Sequence, residues 1–374
     1  MIRPFNIEKP QYEQLYDDTG SNDFSDIVRK LVKDHQSFQI QGRAGTGKSY
    51  LLKEFIKYLH KKEISFLALC PTHKACRSLD ENAKTLDSQW SIIKHTGSDP
   101  FSYFSWVILD EKSLVKEGYW RQLVQILHRH PNSRFVICGD WDQLPPVGER
   151  AEYNYADSRA IWEICDGRMV ELTTCRRTGK KGKELFDMCK NVNEIDLSKF
   201  PSDECEKSLA YNNRVRIAVN SRWMLQKREG KKYITIPAIP GRTKETQEIY
   251  VYRSMPLIAI ESNKTHEIAN ADEFRVISFN ANQVKVGAVL DDGSIDDDKI
   301  LEIPVDIFPK LLQPAYCVSV HRSQCSTYRT PYTIYQTDKI REMDKTEGDL
   351  GARLLYVALS RASDISLINV SNEY

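Results

Sequence analysis

The residues whose spacing carries the clearest chemistry lie at positions 42–49, which read G-x-x-x-x-G-K-S. A short apolar run at 38–41 precedes them, and residues with helical spacing follow, which is the context of a phosphate-binding loop. The glycines let backbone N–H groups surround a polyphosphate, and the N-terminus of the following helix adds positive potential. The pattern therefore predicts a nucleoside triphosphate site formed by Gly45, Thr46, Gly47, Lys48 and Ser49.

Within this loop Lys48 is expected to reach the β- and γ-phosphates, and the Ser49 hydroxyl to hold Mg²⁺. Asp110 and Glu111 follow another apolar run and supply the acidic pair that such a site needs. Asp110 is the expected second metal ligand, and Glu111 is placed to polarise the attacking water. An acidic first turn of a helix explains the same two residues if they are taken alone.

A carboxamide completes the predicted nucleotide site, because residues 139–147 read G-D-x-x-Q-L-P-P-V after a fourth apolar run. The Gln143 side chain can both donate and accept hydrogen bonds, so it can sense a γ-phosphate. A proline-rich turn accounts equally well for a lone G-D-x-x-Q. These residues all follow strands, and the carboxyl ends of parallel strands are where such sheets bind ligands.

Composition sets the class of protein. The chain has 374 residues, 41% of them hydrophobic and 28% charged, which fits one large or two ordinary globular domains. Because the net charge is only +1, a nucleic-acid surface must be local. The nine cysteines form no C-x-x-C pair, which argues against a zinc site. Without a signal peptide or an apolar run long enough to span a membrane, we expect a soluble intracellular protein with reduced thiols.

The order of patterns predicts the fold. Apolar runs at 64–70, 106–109 and 134–138 alternate with helical stretches, which indicates a parallel sheet in an α/β domain. From about 233 to 310 the pattern changes to short β-like runs, which indicates a small inserted β-barrel. The α/β pattern resumes near 315, with a helix around 349–360 and a terminal strand at 366–370.

In this order, the segments resemble a superfamily 1 helicase, most closely the 1B branch of RecD-, Dda- and Pif-type DNA helicases. The loop at 42–49, the acidic pair and the run at 139–147 match the first three ATPase motifs of that family. Further motifs are similar at 70–75, 85–88, 172–177, 211–213, 319–324 and 355–362. The resemblance covers roughly residues 36–370.

The resemblance implies an α/β fold with two RecA-like parallel-sheet domains, a small SH3-like β-barrel insertion and a short pin insertion. It places the first RecA-like domain at 1–168, with the pin region at about 89–105. The second RecA-like domain is expected at 169–248 and 311–374, with the barrel at 249–310. ATP and Mg²⁺ are the implied cofactors, and the cleft between the RecA-like domains is the implied ATP site.

The family also implies roles for residues that spacing alone leaves unexplained. Arg177 and Arg361 match arginine fingers that reach from the second domain to the γ-phosphate. Without the resemblance, Arg177 is a surface charge in a basic cluster and Arg361 a charge at a helix C-terminus. The implied nucleic-acid contacts are Thr72, His73, Thr85, Ser88, Phe101, Asn212, His321 and Ser323.

Several of these contacts have a second interpretation. His73 is either a stacking platform for a base or a solvent-exposed loop histidine. Phe101 or Tyr103 is the expected strand-separating wedge, and core packing explains either residue as well. The chain also departs from the family. Lys112 replaces an apolar residue and is expected to place a cation near the metal, Cys325 replaces a glycine, and Asn270-Ala271 replaces Asn-Gly in the barrel.

The function implied by the resemblance is that of an ATP-dependent DNA helicase of replication or repair. Such an enzyme moves 5′→3′ on single-stranded DNA and acts at junctions of single- and double-stranded DNA. An RNA helicase and a translocase without strong unwinding remain open, because contacts to the backbone do not establish the sugar. A binding protein with a decayed motor is disfavoured by the intact ATPase residues, and a small-molecule kinase by the barrel insertion. The compact length fits a viral or mobile-element enzyme.

Overall fold

The computed structural model describes residues 9–148, 155–241, 246–263, 265–290, 292–345 and 348–374. The chain forms two compact units, Met1–Phe186 and Asp187–Tyr374. Each unit contains a parallel sheet, as the alternation of apolar runs and helical stretches predicts.

The first unit is built on a seven-stranded sheet whose paired strands all run parallel, in the order β1-β7-β2-β6-β5-β3-β4. Its central strands are mostly buried, and apolar residues dominate β3, β5 and β6, as expected for strands covered on both faces. The strands are β1 (Glu13–Gln14), β2 (Phe38–Gly42), β3 (Phe66–Cys70), β4 (Lys84–Thr85), β5 (Trp106–Leu109), β6 (Arg134–Gly139) and β7 (Arg168–Leu172).

Amphipathic helices cover this sheet. Helix α2, for example, buries Leu51, Leu52, Phe55, Ile56 and Leu59 and so presents one apolar face at helical spacing. The helices of this unit are α1 (Ser25–Asp34), α2 (Lys48–Lys61), α3 (His73–Leu79), α4 (Leu86–Thr96), α5 (Glu117–Arg129) and α6 (Arg159–Ile164). Helix α7 (Gly179–Met188) follows β7 and includes residues of both units.

The second unit contains a four-stranded parallel sheet in the order β16-β8-β17-β18. Its strands are β8 (Lys207–Ala210), β16 (Cys317–Ser319), β17 (Tyr332–Tyr335) and β18 (Ile368–Ser371). Helices α8 (Asn213–Lys227), α10 (Thr337–Met343) and α11 (Leu350–Ser360) accompany it. The predicted late helix and terminal strand are therefore confirmed as α11 and β18.

Between β8 and β16 the chain forms antiparallel sheets. A pair, β9 (Ile234–Ile236) and β10 (Ile249–Val251), precedes a five-stranded sheet in the order β14-β13-β12-β11-β15. The five strands are β11 (Pro256–Ala259), β12 (Glu273–Phe279), β13 (Gln283–Val289), β14 (Ile295–Pro304) and β15 (Leu312–Pro314), with α9 (Phe308–Leu311) before the last. These strands bear out the predicted β-rich insertion, whereas its closure into an SH3-like barrel stays a prediction.

One sequence-based boundary needs correction. The strand at 168–172 was expected to open the second domain, but Met169 and Leu172 pair with Gln39 and Gly42 of β2, so the strand belongs to the first sheet. Residues 89–105, the expected pin region, comprise most of α4 and a 3₁₀ turn at Pro100–Tyr103, and their role as a pin stays a prediction. None of the helices in the described ranges is long and apolar enough to cross a membrane.

The Asn270-Ala271 turn has a backbone conformation at its second residue that favours glycine. Ala271 has a φ of 68°, in the left-handed region that glycine enters without steric cost. The alanine side chain therefore strains the turn by about 1–2 kcal/mol.

Candidate nucleotide and nucleic-acid sites

Parallel register brings the predicted ATPase residues to one edge of the first sheet. Gln41 of β2 pairs with Gly139 of β6, and Leu109 of β5 pairs with Ile137 of β6. The phosphate-binding loop, the acidic pair and the G-D-x-x-Q loop therefore begin at neighbouring strand ends. This edge is where parallel sheets bind ligands.

The loop at 42–49 has the backbone of a phosphate cradle. Gly45 and Gly47 have φ values of 91° and 89°, which side-chain-bearing residues rarely adopt. Gly47 is the N-cap of α2 and contributes no capping side chain, so the first-turn N–H groups are not capped by that residue. Lys48 Nζ donates to the carbonyl oxygen of Arg43 at 3.0 Å, which holds the lysine at the loop.

The acidic pair sits directly at the end of β5. Asp110 is 9% exposed, and its carboxylate accepts the N–H of Glu111 at 2.8 Å. Burial raises the pKa of Asp110, although that hydrogen bond and the charges of Lys48 and Lys53 act in the opposite direction. Glu111 has a φ of 55°, a strained conformation for a non-glycine residue that is common at functional sites.

The loop after β6 is tied to the phosphate-binding loop. Asp140 is fully buried and accepts the N–H of Asp142 at 3.0 Å, and Gln143 is 6% exposed. The carboxylate of Asp142 forms an ion pair of 2.7 Å with Arg43. The loop motif does not predict this pair, because Arg43 is one of its variable residues.

Lys112 does not have the environment that its position beside the acidic pair suggested. It is fully buried, and its Nζ donates to Gln39 Oε1 at 2.8 Å and to the Ile40 carbonyl at 3.4 Å. The same Nζ lies over the ring of Trp141, 4.6 Å from the centroid. Burial lowers the pKa of Lys112 to about 7. The expected cation beside the metal is therefore a buried group that joins β2 to the loop after β6.

Two adjacent arginines contact the phosphate-binding loop from within the first unit. A Cβ atom on Gly45 would lie 2.8 Å from Arg177 Nε, and one on Gly47 would lie 2.8 Å from Arg176 Cδ. Arg176 Nη1 donates to the carbonyl of Thr46 at 2.6 Å. The expectation that Arg177 reaches the loop from a second domain is therefore wrong, because β7 belongs to the same sheet as the loop.

Arg176 is held by an acid that sequence analysis missed. Its guanidinium forms a buried ion pair with Asp18, whose carboxylate also accepts the N–H groups of Thr173 and Thr174 at 2.9 Å. Burial raises the pKa of Asp18, but the bonds from Arg176 and the backbone outweigh it and lower the pKa to about 2. A separation of 158 residues leaves no local signal for this pair.

Arg361 lies in the second unit, directly after α11, and is 5% exposed. Its guanidinium donates to the carbonyls of Val357 at 3.0 Å, Ser326 at 3.2 Å and Ser323 at 3.4 Å. Arg361 is therefore a positive charge at a helix C-terminus, as the sequence indicates without the family resemblance. The arginine-finger role stays a prediction and requires these bonds to be exchanged.

The expected nucleic-acid residues of the first unit lie at the ends of two neighbouring strands. Cys70 of β3 pairs with Thr85 of β4, and each strand leads directly into a helix. Thr72 caps α3 by accepting the N–H of Ala75 at 3.2 Å, and Thr85 caps α4 by accepting the N–H of Ser88 at 3.3 Å.

A capping hydroxyl keeps its proton as a donor, so Thr72 can still bind a phosphate oxygen at a helix N-terminus. Ser88 already donates its hydroxyl proton to the carbonyl of Thr85 at 2.7 Å. His73 is exposed in the first turn of α3. The nucleic-acid roles of these residues stay predictions.

The second unit repeats this arrangement. Ala210 of β8 pairs with Ser319 of β16, so Asn212 and His321 follow neighbouring parallel strands. Asn212 caps α8 by accepting the N–H of Val215 at 3.0 Å, and burial lowers the pKa of His321. Cys325 has a φ of 61°, in the left-handed region that favours glycine, the residue that the family resemblance predicts at this position.

Two of the predicted contacts are wrong. Phe101 is fully buried and packs edge-on against Trp90 at 5.1 Å between centroids, so the core interpretation applies. Ser323 is 1% exposed and donates its hydroxyl to the Val320 carbonyl at 2.7 Å. Tyr103, the alternative wedge, is 78% exposed and remains the candidate.

The buried pair of Asp18 and Arg176 gives a stability prediction. Asp18→Asn leaves a buried guanidinium without its counter-charge and should destabilise the protein by about 3 kcal/mol at neutral pH. Because the pKa of folded Asp18 is depressed, its stabilisation is complete above the unfolded pKa and is lost as the pH falls toward about 2. The difference in urea midpoint between wild type and variant should therefore shrink from about pH 6 to about pH 3.

The control is Asp17→Asn, which removes an exposed carboxylate from the same segment. If both variants unfold at the same urea concentration, the proposed contribution of the buried pair is contradicted.

Comparisons with known proteins agree with this geometry. A family model described as an AAA domain matches residues 21–194. The ATP-dependent DNA helicase RRM3 of Saccharomyces cerevisiae is 23% identical over 252 residues, which is 55% of this chain and 34% of that protein. The ATP-dependent DNA helicase Pif1 of a Psychrobacter species is 29% identical over 147 residues, 33% of this chain and 22% of that protein. The chain thus spans about a third or less of the length of these relatives.

Solved structures match over nearly the whole chain. The crystal structure of Pif1 helicase from Candida albicans has a TM-score of 0.68 at 22% identity and covers 95% of each chain. A Bacteroides Pif1 helicase in complex with ADP-AlF3 and single-stranded DNA has a TM-score of 0.60 at 17% identity, covering 94% of this chain and 93% of that one. The chain is therefore Pif1-like in sequence and has the Pif1 helicase fold, and its resemblance to superfamily 1B is confirmed.

Proposed function

We propose that this chain is an ATP-dependent DNA helicase that moves 5′→3′ along single-stranded DNA and opens duplexes at single-strand junctions. The observation that carries the proposal is the convergence of Lys48, Asp110, Glu111 and Gln143 at one edge of a parallel sheet, in a chain with the Pif1 fold. Related proteins named as DNA helicases support DNA as the substrate. Such an enzyme would act in replication or repair, in the cytoplasm or the nucleus.

The phosphate-binding loop fits a nucleoside triphosphate. Its glycines leave no Cβ where Arg176 and Arg177 pack, and the start of α2 offers N–H groups to phosphate oxygens. Lys48, now bonded to the Arg43 carbonyl, would exchange that acceptor for the β- and γ-phosphates. Arg177, which packs on Gly45, supplies a second positive charge on the same side of the loop.

Ser49 and Asp110 would hold Mg²⁺. The fit rests on the donor set, because hydroxyl and carboxylate oxygens are the ligands that Mg²⁺ prefers, and on the burial of Asp110, whose charge requires a nearby cation. When bound, Mg²⁺ neutralises charge on the phosphates. Glu111 would accept the proton of the attacking water, and Gln143 would hydrogen-bond at the γ-phosphate end.

The strand ends outside the nucleotide site fit a polynucleotide backbone. Thr72 and Asn212 begin helices whose N-termini favour phosphate oxygens, and His73 offers an exposed ring for a base. Contacts of this kind carry no sequence information, so binding should be sequence-tolerant and weakened by salt. An RNA helicase and a translocase without strong unwinding use the same contacts and are separated by experiment.

Replacement of the loop lysine tests the ATPase assignment. Lys48→Ala should lower ATP turnover by at least about 10²-fold, because it removes the charge that stabilises the transferred phosphoryl group. The control is Lys57→Ala, since Lys57 is an exposed lysine of the same helix. Turnover in the Lys48 variant close to that of the control would contradict the nucleotide site.

Tailed duplexes test the polarity and the sugar. With ATP, the protein should separate DNA duplexes that carry a 5′ single-stranded tail and leave 3′-tailed duplexes intact. Opening of 3′-tailed duplexes alone would contradict the superfamily 1B polarity. Equal opening of 5′-tailed RNA would favour the RNA helicase, and tail-dependent ATP turnover without strand separation would favour the translocase. The Lys48→Ala variant controls for contaminating helicases.

A further inference from the structure

The buried lysine after the acidic pair is the feature that the proposed function leaves unexplained. Lys112 begins the 3₁₀ turn Lys112–Leu114 and has no exposed surface. Burying an amino group costs free energy unless hydrogen bonds satisfy it, and an apolar residue of similar size would pack without that cost. Packing alone therefore does not account for a buried lysine at this position.

The amino group of Lys112 has partners on two different segments. Gln39, which is 2% exposed, and the Ile40 carbonyl accept from Nζ on the strand that leads into the phosphate-binding loop. The ring of Trp141, in the loop after β6, lies under the same nitrogen at 4.6 Å. An amine donates N–H to a carbonyl and to a ring face in either protonation state, so these contacts do not depend on its charge.

The aliphatic part of the Lys112 side chain also packs against the end of β6. A Cβ atom on Gly139, the last residue of β6, would lie 2.8 Å from Lys112 Cγ and from its backbone nitrogen. Glycine at 139 therefore lets the turn after β5 pass directly against the end of β6. Backbone and side chain of Lys112 both contact the segment that leads to Gln143.

Trp141 lies two residues before Gln143 in the loop after β6. It stacks on Tyr155 with planes 10° apart and lies tilted against Trp120, so the ring packs against two other aromatic side chains. The next residue, Asp142, forms the ion pair with Arg43 of the phosphate-binding loop. A displacement of Trp141 would therefore move both Gln143 and the partner of Arg43.

We propose that Lys112 is a positioning residue that fixes the Trp141 loop, and with it Gln143, relative to Asp110 and the phosphate-binding loop. The inference rests on the proposed ATPase function and deepens it. Lys112 touches none of the reacting groups. Its role is to hold the γ-phosphate end of the site in the arrangement required for hydrolysis, while the loop that binds the rest of the nucleotide is left intact.

The test is the effect of Lys112→Met on ATP turnover measured with single-stranded DNA. Methionine keeps an unbranched stem and removes the donor. We expect kcat to fall about tenfold while KM for ATP stays within about twofold, because positioning acts on the chemical step and not on nucleotide affinity. The matched control is Lys116→Met, an exposed lysine four residues further along, which should leave both constants unchanged.

A double-mutant cycle with Trp141 tests whether Lys112 acts through the Trp141 ring. If Lys112 acts through the ring, Trp141→Leu and the double variant with Lys112→Met should have the same kcat. Should Trp141→Leu fail to fold, Trp141→Phe replaces it, and the indole N–H resonance of Trp141 in the Lys112→Met protein provides a readout without turnover. That resonance should shift, whereas the indole signal of Trp223, which stacks on Tyr316 within the second unit, should not.

The outcomes separate the two proposals. A wild-type protein without ATP turnover contradicts the proposed function. An active wild type whose kcat is unchanged in Lys112→Met contradicts only the positioning role. Additive losses of kcat in the cycle or an unmoved Trp141 resonance would also overturn it. The same holds if Lys112→Met lowers thermal stability and nucleotide affinity together with kcat.

Discussion

The structure of the candidate site depends on the parallel pairing of β2, β5, β6 and β7. Parallel strands end at the same edge of a sheet, so four segments distant in sequence deliver their following loops to one place. Without that constraint Lys48, Asp110 and Gln143 have no reason to meet. The second unit uses the same principle, since β8 and β16 end side by side and carry Asn212 and His321.

Strand pairing alone leaves the loops free, and specific side chains fix them. Arg43 joins the phosphate-binding loop to Asp142, Arg176 joins it to the segment after β7, and Lys112 joins β2 to Trp141. The N-terminal segment takes part through Asp18, whose ionised form is favoured by Arg176 and three backbone N–H groups. A buried ion pair adds little to stability against an apolar alternative, but removing one partner is costly. The geometry of the loop thus depends on these pairs being complete.

The sequence predicted the elements far better than the contacts between them. Apolar runs and the spacing of G-x-x-x-x-G-K-S were sufficient for the central strands, because burial on both faces requires such runs. The assignment of β7 to the second domain failed because its membership depends on a pairing with β2, about 130 residues away. Phe101 was a candidate wedge because it lies where the resemblance places the pin, yet the ring occupies a core position beside Trp90. The environments of Lys112 and Arg176 depend on long-range partners, which no local pattern reveals.

The central claim is that the nucleotide site of the first unit belongs to a motor driven along DNA. The most direct measurement is the steady-state rate of ATP hydrolysis as single-stranded DNA is added, at several salt concentrations. The account predicts a rate that is low without DNA, rises to saturation with strands of any sequence, and requires more DNA as salt increases. A rate that is the same with and without single-stranded DNA would contradict it.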